Sequence, residues 1–116
     1  MTPYGATVAR ELRSALVPLE TVSIVDHKYL PAAFRALLKN ALFWVVPTPA
    51  IETARVDSVT AADRLASTIE TVGVHPQGIS LEVDQARADA TVALEALIDA
   101  VADAEPTQSA KSLGIG

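Results

Sequence analysis

Residues 60–75 read TAADRLASTIETVGVH, and two structures compete for them. Ala61, Leu65, Ile69 and Val72 recur at helical spacing, and Thr60-Ala61-Ala62-Asp63 resembles a capping box with Asp in place of Glu. Against this, Ser67-Thr68-Ile69-Glu70-Thr71-Val72-Gly73-Val74 is rich in β-branched side chains, which lose rotamer freedom in helices and fit strands better. The local signals favour neither.

Upstream, Ala41-Leu42-Phe43-Trp44-Val45-Val46 is short, continuous and apolar, which predicts a strand covered on both faces, with Trp44 in the core. Pro47 and Pro49 remove ladder donors and close it. Residues 47–62 show no clean period and read as an extended loop, with room for a short strand near 51–56. Thr21-Val22-Ser23-Ile24-Val25-Asp26 alternates like a half-buried strand, and Asp26-His27-Lys28 leads into a loop. Phe34, Leu37 and Leu38 predict one or two helical turns over 31–39, ended by Asn40. At the start, Thr2 can cap a helix whose first position is Pro3. Val8, Leu12 and Leu16 carry that helix over about residues 4–17. Gly5 softens its first turn, and Pro18 ends it by pushing Val17 out of helical geometry.

Downstream, His75-Pro76-Gln77-Gly78 is a turn, and Ser80 can cap a long helix that runs to Ala104 and stops at Glu105-Pro106. Val83, Ala86, Ala90, Leu94, Leu97, Ile98 and Val101 share one arc of it. Glu82, Asp84, Asp89, Glu95, Asp99 and Asp103 occupy the rest. Residues 107–116 are small and polar. The expected organisation is one domain over 1–105, followed by a flexible or partner-ordered tail at 106–116.

Composition narrows the function classes. Half of the 116 residues are apolar and 21 are alanine, so the larger side chains suffice for one modest core. There is no cysteine, which excludes disulfides, thiolate metal sites and cysteine nucleophiles. The longest apolar run, at 41–46, is far short of the roughly 18 residues of a membrane span. The opening Met-Thr-Pro-Tyr-Gly shows no signal peptide, so a soluble intracellular or particle-associated domain is expected. The net charge is −5 and unevenly spread, with acids concentrated after residue 41. Bases are not clustered, which disfavours binding to nucleic-acid phosphates or to anionic membranes.

The search for chemistry returns little. Asp26-His27 could act as a base or ligand pair with His75 as a distant third group, a hydrolase or metal reading. Neither histidine has ligand spacing, and surface or turn histidines explain both. Gly78-Ile79-Ser80-Leu81-Glu82 lacks the second glycine of a nucleophile elbow, and a helix cap explains Ser80 better. The five glycines are scattered and form no phosphate cradle. Glu95, Asp99 and Asp103 form an i, i+4, i+8 acidic stripe, read chiefly as a solvated face, then as a surface for a basic protein partner, and least as a metal site. No catalytic, cofactor-binding or metal-ligating residue is assigned.

The order helix, strand, strand, loop, strand, long helix can be set beside Thr48-Pro49, His75-Pro76 and the alanine- and acid-rich segment 83–103. Together they resemble the tail terminator proteins of long-tailed bacteriophages, particularly those infecting actinobacteria. The resemblance covers roughly residues 5–104. It favours a strand at 65–74, beside the one at 41–46. The implied fold is α+β, a small, mostly antiparallel sheet of three to four strands packed against an N-terminal helix and a long helix in the C-terminal half. Two departures are visible: the family's strand after the long helix is missing, and residues 31–39 are more helical than its linker. The implied function is structural and not enzymatic. It is a subunit of a hexameric ring that caps the tail tube, ends its polymerisation and joins it to the head connector. The implied partners are copies of itself, the tail tube protein and head–tail connector proteins, with no cofactor and no membrane. DNA would only pass through a lumen whose acidic walls repel phosphates. The implied place is the virion's tail–head junction, after assembly in the host cytoplasm. A head–tail stopper or adaptor, or a small acidic protein-binding module, are the alternatives.

Overall fold

A computed structural model describes residues 1–21, 27–72 and 81–114. Among these residues there are six α-helices, one 3-10 turn at His27–Tyr29 and no strand. The helices are α1 (Pro3–Arg13), α2 (Leu16–Thr21), α3 (Leu30–Leu42), α4 (Pro49–Val72), α5 (Leu81–Ala100) and α6 (Gln108–Ser112). The described residues are therefore all-α, and the expected α+β sheet of three to four strands is overturned.

Each correction has a local cause. Pro47 and Pro49 read as closing a strand, but Thr48 between them caps α4. Its hydroxyl accepts from the Ile51 N–H at 3.2 Å and its carbonyl from the Glu52 N–H at 2.9 Å, with Pro49 next in the helix. The expected loop at 47–62 and strand at 65–74 are thus largely one helix of 24 residues. Ile51, Ala54, Ser58, Ala61, Ala62, Leu65, Ala66 and Ile69 are its buried positions, at helical spacing. Burial of this stripe overrides the β-branched preference of Thr68, Ile69, Thr71 and Val72. The expected strand at 41–46 is split: Ala41 and Leu42 finish α3, and Phe43 and Trp44 turn. What remains of pairing is one antiparallel bridge between Val45 and Pro106. Gly73, Val74, the 75–78 turn, Ser80 and the strand expected at 21–26 (Thr21 apart, which ends α2) lie outside the described residues.

Two helical expectations hold with shifted ends. The 31–39 segment is helical and extends over Leu30–Leu42. The long amphipathic helix is α5, whose last turn gives way to a turn at 101–103. At the N-terminus, Pro18 does not stop the helix. Val17 stays helical in α2, and the break falls at Ser14 and Ala15. A proline ring clashes with the carbonyl four residues earlier, here that of Ser14, so the interruption sits one turn upstream.

The helices form an up-down-up-down bundle, with α1 and α2 together making the first rod. α1 packs on α3 and α5, α3 on α4, and α4 on α5 in the most extensive contact. Leu12, Leu19, Leu38, Leu65, Leu94, Leu97 and Val101 form its fully buried centre. The molecule measures 54 × 20 × 19 Å, because all four rods share one axis.

One end of the bundle is tied shut. The Thr2 N–H donates to the Ala102 carbonyl at 3.0 Å, and the Thr2 hydroxyl donates to the Ala104 carbonyl at 2.7 Å. The same hydroxyl oxygen accepts from the Gly5 N–H at 2.9 Å, so one side chain caps α1 and fastens it to the turn after α5. Gly5 makes this approach possible. A Cβ there would lie 2.2 Å from the Ala102 carbonyl oxygen and 2.5 Å from that of Val101. The Val46 N–H donates to Glu105 at 2.9 Å and the Thr107 N–H to Trp44 at 2.7 Å. Thr107 then caps α6, whose Ala110 is fully buried. Nearer the other end, the Arg87 guanidinium donates to the Leu19 carbonyl, joining α5 to α2.

Candidate functional site

The α4–α5 contact is built from small side chains. Ala54, Ala61, Ala62 and Ala66 on α4 and Ala86 and Ala90 on α5 are buried. Ser58 sits among them with no exposed surface. Its hydroxyl lies 2.8 Å from the Ala54 carbonyl and 3.0 Å from the Ala93 carbonyl, so it shares one proton between its own helix and the neighbouring backbone. A hydroxyl reaches a facing backbone only where the helices run close together.

That closeness leaves the outer shoulder of the pair unfilled. An open groove of about 790 Å³ runs there, lined by Pro49, Ala50, Thr53, Ala54 and Asp57 of α4 and by Asp89, Val92, Ala93, Ala96 and Ala100 of α5. Its floor is mainly alanine, and Val92 projects into solvent with 67% of its surface exposed. Asp57 and Asp89 are its only charged lining residues. Asp99, outside the lining, is exposed one turn after Ala96 on α5.

The other shoulder of α4 has the opposite character. A hollow of about 440 Å³ between α3 and α4 is lined by Arg35, Lys39, Arg55, Glu52, Leu38, Leu42, Phe43 and Val59. Arg35 pairs with Asp63 at 2.6 Å and Arg55 with Glu52 at 3.0 Å, both near the surface. Bases outnumber acids in this lining, the reverse of the alanine groove. A third hollow, of about 320 Å³, lies between α1 and α3 against Tyr4, Glu11, Asn40 and Trp44. Burial, and then the nearby Glu11 carboxylate, push the Tyr4 phenol above its ordinary value of 10.0.

The residues singled out in the sequence scatter over this frame. His27 is half-buried on the 3-10 turn before α3, while Asp26, His75 and Ser80 lie outside the described residues. Glu95 and Asp99 stay exposed on α5, but Asp103 leaves the stripe. It lies in the turn after the helix, 3.0 Å from the Met1 ammonium. Trp44 is half-buried, edge-to-face with Phe43 at 4.6 Å between ring centroids. Among the described residues no group of three His, Asp or Glu side chains could hold a metal ion. Nor is any described helix long and apolar enough to cross a membrane.

The groove itself escapes the sequence reading. Ala93, Ala96 and Ala100 lie beside the acidic arc of α5, where long polar side chains would be ordinary. That run of short side chains was the available signal. No model of a known protein family matches the chain, and no curated protein or solved structure matches it.

Proposed function

We propose that this chain is a protein-docking module without catalytic activity, and that the α4–α5 groove receives a helix carrying basic side chains beside an apolar stripe. The observation behind this reading is the groove's make-up: an alanine floor, an exposed Val92 and carboxylates as its only charges. Short side chains let a third backbone come close, and an apolar helix face laid in such a groove is a recurrent recognition mode. Asp57 and Asp89 would steer a basic helix and reject an acidic one.

The test is a pair of synthetic helical peptides with one alanine- and leucine-rich face, flanked by lysine in one and by glutamate in the other. The lysine peptide should bind, and binding should weaken as salt shortens the Debye length from about 10 Å at 0.1 M to about 3 Å at 1 M. Ala96→Arg should lower affinity by about tenfold or more, because it fills and neutralises an exposed part of the groove without touching the core. Equal binding of both peptides, or an unaffected Ala96→Arg, refutes the reading.

The narrower proposal is a phage tail-terminator subunit at the tail–head junction, with tail tube and connector proteins as partners. It has lost the strand order that suggested it, and a ring could not close through sheet edges among these helices. Its remaining support is the acidic balance of the chain. It requires a hexamer, alone or on added tail tubes, which electron microscopy would see directly.

A further inference from the structure

We infer that the helix received by the groove is α3 of a second copy of this chain, docked head to tail. The inference rests on the docking reading and names the partner. Ala32, Ala36, Lys39 and Phe43 are all exposed, and their spacing places them in one line on the outer face of α3 and its C-cap. Phe43 keeps 60% of its surface in solvent. That line offers small and apolar side chains with a lysine among them, which is the chemistry the groove selects. The charge match holds beyond single residues. Across residues 27–51 the charged side chains are Lys28, Arg35 and Lys39, with no aspartate or glutamate. The groove's lining charges are Asp57 and Asp89.

The sizes agree. A helix of 13 residues is about 20 Å long. The groove walls, from Pro49 to Asp57 and from Asp89 to Ala100, span about 12 and 16 Å at the same rise per residue. The two surfaces do not obstruct each other within one molecule. α3 packs inward on α1 and α4, and the groove opens between α4 and α5. One copy can therefore give its α3 to a neighbour while receiving another in its own groove. Such a contact joins unlike surfaces, so it builds a chain or a closed ring rather than a two-fold dimer.

Sedimentation velocity of the full chain provides the test. The wild type should form dimers and larger species as concentration rises. Ala96→Arg damages only the groove and Lys39→Glu only the α3 face, so each alone should stay monomeric. Mixed, they should form a 1:1 dimer and nothing larger, because one intact groove and one intact α3 remain. Circular dichroism checks folding, and Val92→Arg and Ala36→Glu replace either variant that does not fold. A monomeric wild type, or a mixture that stays monomeric, overturns the inference. If the lysine-flanked peptide still binds in that case, the docking module stands and only its partner changes. If the peptide also fails to bind, both readings fall.

Discussion

Replacing Gly5 by alanine should destabilise the protein, although helix propensity alone gives the opposite sign. Alanine in a helix interior is favoured over glycine by about 1 kcal/mol. Here, however, the added methyl would sit 2.2 Å from the Ala102 carbonyl oxygen, where ordinary contact begins at 3.4 Å. The obstacle is backbone, with Val101 oxygen at 2.5 Å behind it, so no side chain can swing away. α1 must lift off the turn after α5 by roughly an ångström, and overpacking of this kind costs about 1–3 kcal/mol. Lifting α1 also stretches the two Thr2 bonds to Ala102 and Ala104, worth about 0.5–1.5 kcal/mol each. After subtraction of the propensity gain, the expected net loss is about 1–5 kcal/mol. For a chain of this length that lowers the melting temperature by roughly 4–20 °C. Urea and thermal unfolding followed by circular dichroism measure both quantities. A Gly5→Ala protein as stable as the wild type, or more so, would show that the terminal tie is not made as described.

Ser58→Ala should cost only about 0.5–1.5 kcal/mol in urea unfolding, because the carbonyls it leaves lie inside helices, whereas Ser58→Leu should cost more by forcing α4 and α5 apart. A Ser58→Leu variant as stable as Ser58→Ala would contradict the close approach of these helices. Tyr4 makes stability depend on alkaline pH. Its folded-state pKa is raised, so the neutral phenol is favoured on folding, and that contribution is whole below pH 10 and lost as pH climbs through the raised value. Unfolding titrations across that window should show a downward slope that Tyr4→Phe reduces; an identical slope in both proteins counts against the partly buried phenol.

The legible and illegible parts of this fold differ by how local their causes are. Thr2-Pro3 announces α1 correctly, and the same pair at Thr48-Pro49 announces α4 just as plainly. The second pair is masked by the apolar run before it, which looks like a strand needing a stop. That run is divided between the end of α3, a turn and one bridge, and Phe43 and Val46 are left in solvent. At 65–72, Leu65 and Ile69 carry the true period, but the β-branched neighbours balance it, so the resemblance alone tips the reading to a strand, and burial in the bundle decides for the helix. The groove is illegible for another reason: it is defined by what α4 and α5 fail to fill, and an empty shoulder leaves no motif. Gly5 reads as a weak point of α1, whereas its missing Cβ is what allows the tie.

The tie between Thr2 and Ala104 spans 102 residues of chain and belongs with the packing of α1 and α2 on α5, whereas α3 with α4 and α4 with α5 join helices that follow each other in sequence. Assembly through sequence-local helix pairs is fast, on the order of microseconds to milliseconds, and closing a nearly chain-long loop is the step left for last. The clasp is therefore expected to form after the folding barrier. Disturbing it should leave the refolding limb of a chevron almost unmoved and steepen the loss through faster opening. Residence time in the native state, more than the speed of reaching it, is what changes at Gly5 and Thr2 should alter.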